Sequence, residues 1–346
     1  MAPCNSFVLG KALSKIFCLL SCLWMAGGTA APFSELSGSN LYETLQKEPS
    51  VVSLEELASR YDAFLLDAHG VFWGSSAVGV LPGAADAMAF LVSEGKYVGI
   101  LTNSTQSASK RKEDLQKYGL YEGVHYHFLL TSGEFANELL VQEDLPFPTP
   151  RRTYWVFGSA HPRFNHHLEM FEGTAYRETK DLEEADFIHL AIPHVGGIDT
   201  VDPEAFRRQV QSVGGRVPVL CVNPDHFAIE GAPPKSVVRQ GSIAALFVEE
   251  KASVYLLGKP SLLIYEAALR RMPDHIQKEK IIMIGDTPET DIRGAHEAGL
   301  DAALMTKTGV MAERFEKEGP SRVLEKLPLS DTPDFLLEHL SRRKGG

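Results

Sequence analysis

The chain reads as α/β: a Rossmann-like core with a mostly parallel sheet, interrupted by a second, inserted α/β domain. Two observations predict this. Short apolar runs alternate with turn signals and helical patterns along most of the chain, and such alternation implies parallel strands with helices on both faces. Three of the runs also end in a polar residue at the carboxyl side, where open parallel sheets place their ligands.

The expected strands, in order, are Ala63–Leu66, Tyr97–Leu101, His127–Leu130, Tyr154–Phe157, Phe187–Ile192, Val217–Val222, Val254–Leu257, Ile281–Ile284 and Ala302–Met305. Helices are expected between them. Ala84–Ser93 follows Pro82-Gly83 and closes at Gly95, and Ser261–Met272 starts just after Pro260. The stretch 133–238 differs in texture, concentrating histidines and prolines, and its strands read as a separate α/β unit. We therefore expect a core made of 50–132 and 239–346, with 133–238 as the inserted domain and EGAPPKSVVRQGS as the returning linker.

The first 31 residues stand apart. Lys11 and Lys15 precede the apolar run IFCLLSCLWMA, and Gly28-Thr29-Ala30 offers a small-residue cleavage site. The run is too short for a stable membrane span. It reads as a signal-like segment with an exported, periplasmic product. A start at Met25 is the alternative and would leave the chain cytoplasmic. Cys4, Cys18 and Cys22 lie in this segment, so Cys221 stands alone in the body, with no internal disulfide and no Cys-x-x-Cys metal framework.

Composition narrows the partners. The chain of 346 residues is 44% hydrophobic and 23% charged, which suits a globular protein of two domains. A net charge of −11 argues against nucleic acid or an anionic membrane surface. It leaves room for an anionic small molecule, because backbone amides, one lysine and a metal reverse the sign locally.

The polar strand ends are Asp67 after FLL, Thr102-Asn103-Ser104 after VGIL, and Asp286 after IIMIG. If their strands are neighbours, these residues converge on one cleft. Leu257-Gly258-Lys259-Pro260-Ser261 adds a lysine at a helix start, and Asp291 follows Asp286 by five positions. Two carboxylates, a hydroxyl beside free amides and one lysine are the groups that phosphoryl transfer requires. In that reading Asp67 is the nucleophile, Asp67 and Asp286 hold Mg²⁺ with a main-chain carbonyl, Asp291 supports the metal's surroundings, and Lys259 offsets charge. Each residue also has a plainer reading. Thr102-Asn103-Ser104 could simply cap a helix, and Asn223-Pro224-Asp225 could simply shape a hinge. His161, Arg163, His194 and His226 suit turns, and the pairs His166/His167 and His125/His127 lack zinc-ligand spacing.

FLLDAHGVFWG, ILTNST, LLGKPS and MIGDTPETDIRGAHEAGL, in this order, resemble the four motifs of the haloacid dehalogenase (HAD) superfamily. LPGA, VNPD, RQGSIAALFVE and GKPSLLIYEAAL resemble its large α/β-cap class, the p-nitrophenylphosphatase-like nucleotide, sugar and phosphoglycolate phosphatases. The resemblance implies a Mg²⁺-dependent phosphatase acting on a small phosphorylated metabolite through an aspartyl-phosphate on Asp67. It implies that Thr102, Asn103 and Lys259 bind phosphate, that residue 69 gives its main-chain carbonyl to Mg²⁺, that 133–238 is the substrate-selecting cap, and that the chain pairs as a homodimer.

One position departs from the pattern. Family members usually carry Asp where this chain has His69. Imidazole titrates near neutrality and can donate to a leaving oxygen and then activate water, so His69 is the expected acid/base residue. The alternative is a weak or inactive phospho-metabolite-binding protein that keeps the metal and phosphate cradle without effective proton transfer.

Overall fold

The computed structural model describes residues 49–74, 78–158, 169–230 and 235–342. They belong to a compact unit running from Pro49 to Gly346. The signal-like segment, His161, Arg163, His166 and His167 lie outside the described residues.

The first part of the chain builds strand, helix, strand in succession. β1 (Ser50–Val51) leads into α1 (Leu54–Arg60), whose start is fixed by a capping box between Ser53 and Glu56. β2 (Ala63–Leu66), α2 (Ala84–Ser93), β3 (Tyr97–Thr102), α3 (Ala108–Lys117), β4 (Phe128–Thr131) and α4 (Ser132–Gln142) follow. The chain then enters a different sheet through β5 (Thr153–Phe157), β6 (Arg177–Glu178), β7 (Phe187–Leu190), α5 (Arg207–Val213) and β8 (Val219–Cys221). A hairpin, β9 (Phe227–Glu230) with β10 (Lys235–Val238), precedes α6 (Gln240–Glu249) and β11 (Val254–Leu256). α7 (Leu262–Leu269), β12 (Ile281–Gly285), α8 (Arg293–Glu297), β13 (Asp301–Met305), α9 (Ala312–Glu318), α10 (Pro320–Glu325) and β14 (Phe335–Leu337) complete the chain.

Two parallel sheets result. The larger has seven strands in the order β1-β14-β13-β12-β2-β3-β4, and the smaller has five in the order β11-β8-β7-β5-β6. Both faces of the large sheet are covered, which explains why its strands are unbroken apolar runs. Phe64, Leu66, Val98, Ile100, Ile282 and Ile284 pack on one face with Leu54, Leu57, Met88 and Leu115 of the helices. Leu65, Leu101, Leu130, Met283 and Leu304 pack on the other with Ile264, Tyr265, Ala268 and Ala295. In the small sheet Ile188, Leu190, Val219 and Cys221 bury against Val210, Val213, Ile243 and Phe247.

The α/β fold expected from the sequence is the fold observed, and each expected strand forms within a few residues of its expected span. Two local features differ. The stretch taken for a linker contributes the paired strand β10 and the first turn of α6, because Ser236, Val237 and Val238 find register partners in Ile229, Ala228 and Phe227. The small sheet also reaches past residue 238: β11 pairs with β8 through Val254, Tyr255 and Leu256. Among the described residues no helix is long and apolar enough to cross a membrane.

Candidate active site

The order of the large sheet sets the site. β2 lies between β12 and β3, so the residues that follow these three strands meet at one carboxyl edge. Asp67 extends β2 by one residue, its amide donating to the Ile284 carbonyl at 2.9 Å. β12 then delivers Asp286 and β3 delivers Thr102, with Asn103 directly after it. All four side chains are buried.

Lys259 arrives from the segment between β11 and α7 and is 1% exposed. Its Nζ donates to Asp67 Oδ1 at 2.5 Å and to Asp291 Oδ1 at 2.7 Å. Burial alone would depress the ammonium, but Asp291, Asp67 and Asp225 outweigh it and hold the pKa above its ordinary value. Lys259 is therefore a fixed cation at neutral pH.

Asp291 sits on the wide turn Pro288–Ile292 that opens α8. Its Oδ2 accepts the amides of Asp286 and Thr287, each at 3.0 Å. With Oδ1 on Lys259, both oxygens are engaged by the protein itself. Asp286 Oδ1 accepts the Thr287 hydroxyl, and Oδ2 accepts the Val310 amide, each at 2.9 Å. Gly70 and Gly309 flank that carboxylate, each at φ 76°. A Cβ on either would lie 2.1 Å from Asp286 Oδ2, so both the backbone angle and the space demand glycine. The Thr308 hydroxyl donates to the Gly70 carbonyl at 2.6 Å, tying the two glycine turns together.

Asp67, Asp286 and Asp291 present ligand oxygens within 4.8 Å of one another. Burial, and then repulsion from Asp67 and Asp291, drives the Asp286 pKa well above the carboxylate range. Asp291 is raised by burial in the same way, although Lys259 opposes it. One buried ammonium faces three buried carboxylates here. An all-oxygen donor set short of positive charge fits a hard divalent cation.

The Asn103 side chain, expected at the phosphate, is bonded within the protein. Its Oδ1 accepts the Lys259 amide at 2.7 Å, and its Nδ2 donates to the Lys259 carbonyl at 3.0 Å and to Asp225 Oδ1 at 2.8 Å. The side chain thus clamps the lysine segment. Asp225 was legible in VNPD as a hinge residue, with substrate contact as the alternative. It comes instead to the edge of the site, its pKa pushed up first by burial.

His69 lies on the turn after Asp67, where the Gly70 amide donates to the Trp73 carbonyl at 2.7 Å. His69 is exposed. Its pKa is lowered, first by desolvation against the packed turn and then by the charges of Arg111, Lys259 and Arg239, which favours the neutral imidazole. His125 and His127 each accept a backbone amide through Nδ1, from Tyr121 at 3.1 Å and Val98 at 3.0 Å. His194 accepts from Gly197 at 2.9 Å.

With this fold and these motifs in place, the chain belongs to the haloacid dehalogenase-like hydrolases. The family model described as "Haloacid dehalogenase-like hydrolase" matches residues 64–171, and one described as "HAD-hyrolase-like" matches 256–341. Dihydroxyacetone phosphatase of Corynebacterium glutamicum (strain R) is 30% identical over 130 residues, 37% of this chain and 45% of that protein. The match therefore spans less than half of that relative. The 4-nitrophenylphosphatase of Schizosaccharomyces pombe is 22% identical over 333 residues, 86% of this chain and 98% of its own. Among solved structures, a haloacid dehalogenase-like hydrolase from Brucella suis 1330 superposes with a TM-score of 0.66 at 24% identity, covering 85% of this chain and 100% of its own. A glycerol phosphate phosphatase from Mycobacterium tuberculosis, solved with calcium and with magnesium, gives TM-scores of 0.57 and 0.56 at 18% identity, covering 82% of this chain and 75% and 77% of its own. At these identities the structural likeness is one of fold.

Proposed function

We propose that the protein is a Mg²⁺-dependent phosphatase of small phosphate monoesters, working through an aspartyl-phosphate on Asp67. The observation that carries this is Lys259, held between Asp67 and Asp291 at 2.5 and 2.7 Å and buried with them beside Asp286. A carboxylate so placed is held in one orientation by a buried cation, as a nucleophile toward phosphorus needs to be. Relatives named as phosphatases, one matching nearly end to end, support the same class.

In this reading an Asp67 oxygen attacks phosphorus, the bond from phosphorus to the ester oxygen breaks, and the leaving oxygen takes a proton from solvent, to which His69 returns the proton it gains in the second step. Water then attacks the same phosphorus, releasing inorganic phosphate and regenerating the carboxylate. Asp67, Asp286 and the residue 69 carbonyl would hold Mg²⁺, which when bound offsets charge on the phosphoryl oxygens. Asp291 keeps Lys259 and the 286–287 amides in place. The Thr102 hydroxyl and the Asn103 main-chain amide face the phosphate, and Asn103's side chain fixes the lysine. A neutral His69 suits the second step, taking a proton from the attacking water.

The test is phosphate release from a panel of monoesters, p-nitrophenyl phosphate included, with and without Mg²⁺ and at several pH values. No release from any ester would sink the proposal. The neutral imidazole also favours a second reading, in which the protein binds phospho-metabolites with little turnover. If that holds, His69→Asp gains activity over wild type. If His69 is the acid/base residue, His69→Ala loses about 10²- to 10⁴-fold in kcat.

A further inference from the structure

Arg111 is a buried cation that the reaction above does not use. It lies on α3, the helix that follows the Thr102–Ser104 loop, and is 8% exposed. Its guanidinium stacks on the Trp73 ring, 4.8 Å from the centroid. Trp73 closes the turn that carries His69, its amide donating to the Ala68 carbonyl at 2.9 Å. Arg111 is therefore pressed against the loop that follows the nucleophile. Nη2 is enclosed and has no hydrogen-bond acceptor, and no carboxylate lies within ion-pair distance of the guanidinium among the described residues.

A guanidinium in this state is expensive. Buried charges are ordinarily paired, and an unmet donor bears its full desolvation cost. The arginine fork is also the side chain best matched to carboxylate and phosphate oxygens. Lys259 is already engaged by Asp67 and Asp291, whereas Arg111, among the described residues, keeps an unmet donor at this edge. Its stack on Trp73 sets it against the turn that carries His69, and its charge acts on both Asp67 and His69.

We propose that Arg111 receives a second anionic group on the organic half of the substrate, so that the preferred ester carries a carboxylate or a further phosphate close to the scissile phosphate. This deepens the phosphatase reading and rests on it for its assay.

The experiment compares matched esters: 2-phosphoglycolate with 2-hydroxyethyl phosphate, 3-phosphoglycerate with glycerol 3-phosphate, and fructose 1,6-bisphosphate with fructose 6-phosphate. Each is assayed on wild type, Arg111→Met and Arg111→Lys, with circular dichroism to confirm folding. Wild type is expected to favour the anion-bearing member of at least one pair by tenfold or more in kcat/KM. Arg111→Met should cut that ratio at least tenfold, chiefly through KM, and Arg111→Lys should retain part of it. The carboxylate pairs and the bisphosphate pair tell the two sources of anion apart. No preference in wild type, or an equal loss on both members of every pair in Arg111→Met, would overturn the proposal, the latter assigning Arg111 to the nucleophile alone. If no ester is turned over, the phosphatase reading fails by itself, and the same pairs are read by thermal protection. Greater protection by the anion-bearing ester, lost in Arg111→Met, then supports the Arg111 site; equal protection ends it. If Arg111→Met is unfolded, the comparison passes to Arg111→Lys, whose ratio must fall.

Discussion

Asp225 carries a lesson about single residues. In the sequence it is the last letter of VNPD after an apolar strand, and a proline neighbour makes a turn the natural reading. Its contact, the Asn103 amide at 2.8 Å, lies 122 positions away in the chain, and no local pattern encodes such a meeting. Asp67 and Asp286 were legible because each ends a strand, and Lys259 because it stands beside glycine at a helix start. Asp225→Ala removes the acceptor for Asn103 Nδ2 and should lower stability by about 1–3 kcal/mol, with kcat falling because the lysine segment loosens. Asp225→Asn keeps an acceptor oxygen and should be milder on both counts. Urea melts and steady-state kinetics check this, and two variants alike with wild type would remove Asp225 from the site.

Among elements, the strands were the most legible part of the fold, since burial on both faces writes each one as an unbroken apolar run. β14 escaped notice because Phe335–Leu337 is only three residues long and sits between Asp334 and Glu338. The inserted domain's end was harder for a different reason. A linker and an edge hairpin share glycine, proline and charge, so composition alone does not separate them. Helix α4 packs its Phe135, Ala136 and Leu140 with the large-sheet residues Leu101 and Leu130, whereas α6 packs on the small sheet and β11 extends it. An inserted unit running from about residue 143 to Leu256 is the boundary we propose from this packing. The short α8 is anchored from outside: Arg293 bonds the buried Asp331 through two donors, at 2.7 and 2.5 Å. Arg293→Ala strands that carboxylate and should cost about 3 kcal/mol, measured by denaturant melts. A loss below 0.5 kcal/mol would show that water replaces the guanidinium.

For the whole molecule, two sheets divide the work. The large one fixes a charged, rigid edge through residues drawn from β2, β3, β12 and the segment after β11. The small one contributes Lys259, which follows its strand β11 by three residues, and Asp225, which accepts from Asn103. Because the carboxylates outnumber the ammonium, the folded state should gain from a divalent cation: Mg²⁺ at a hundred times its dissociation constant adds about 2.7 kcal/mol, seen as a rise in Tm that Asp286→Asn abolishes. The central claim is chemical and lies at Asp67. Wild type and Asp67→Asn, both shown to be folded, are mixed with p-nitrophenyl phosphate and Mg²⁺, quenched in acid and mapped by peptide mass. We predict one phosphoryl group on the wild-type peptide that contains Asp67, phosphate release that depends on Mg²⁺, and neither in Asp67→Asn. Phosphate release that persists in Asp67→Asn would contradict the account.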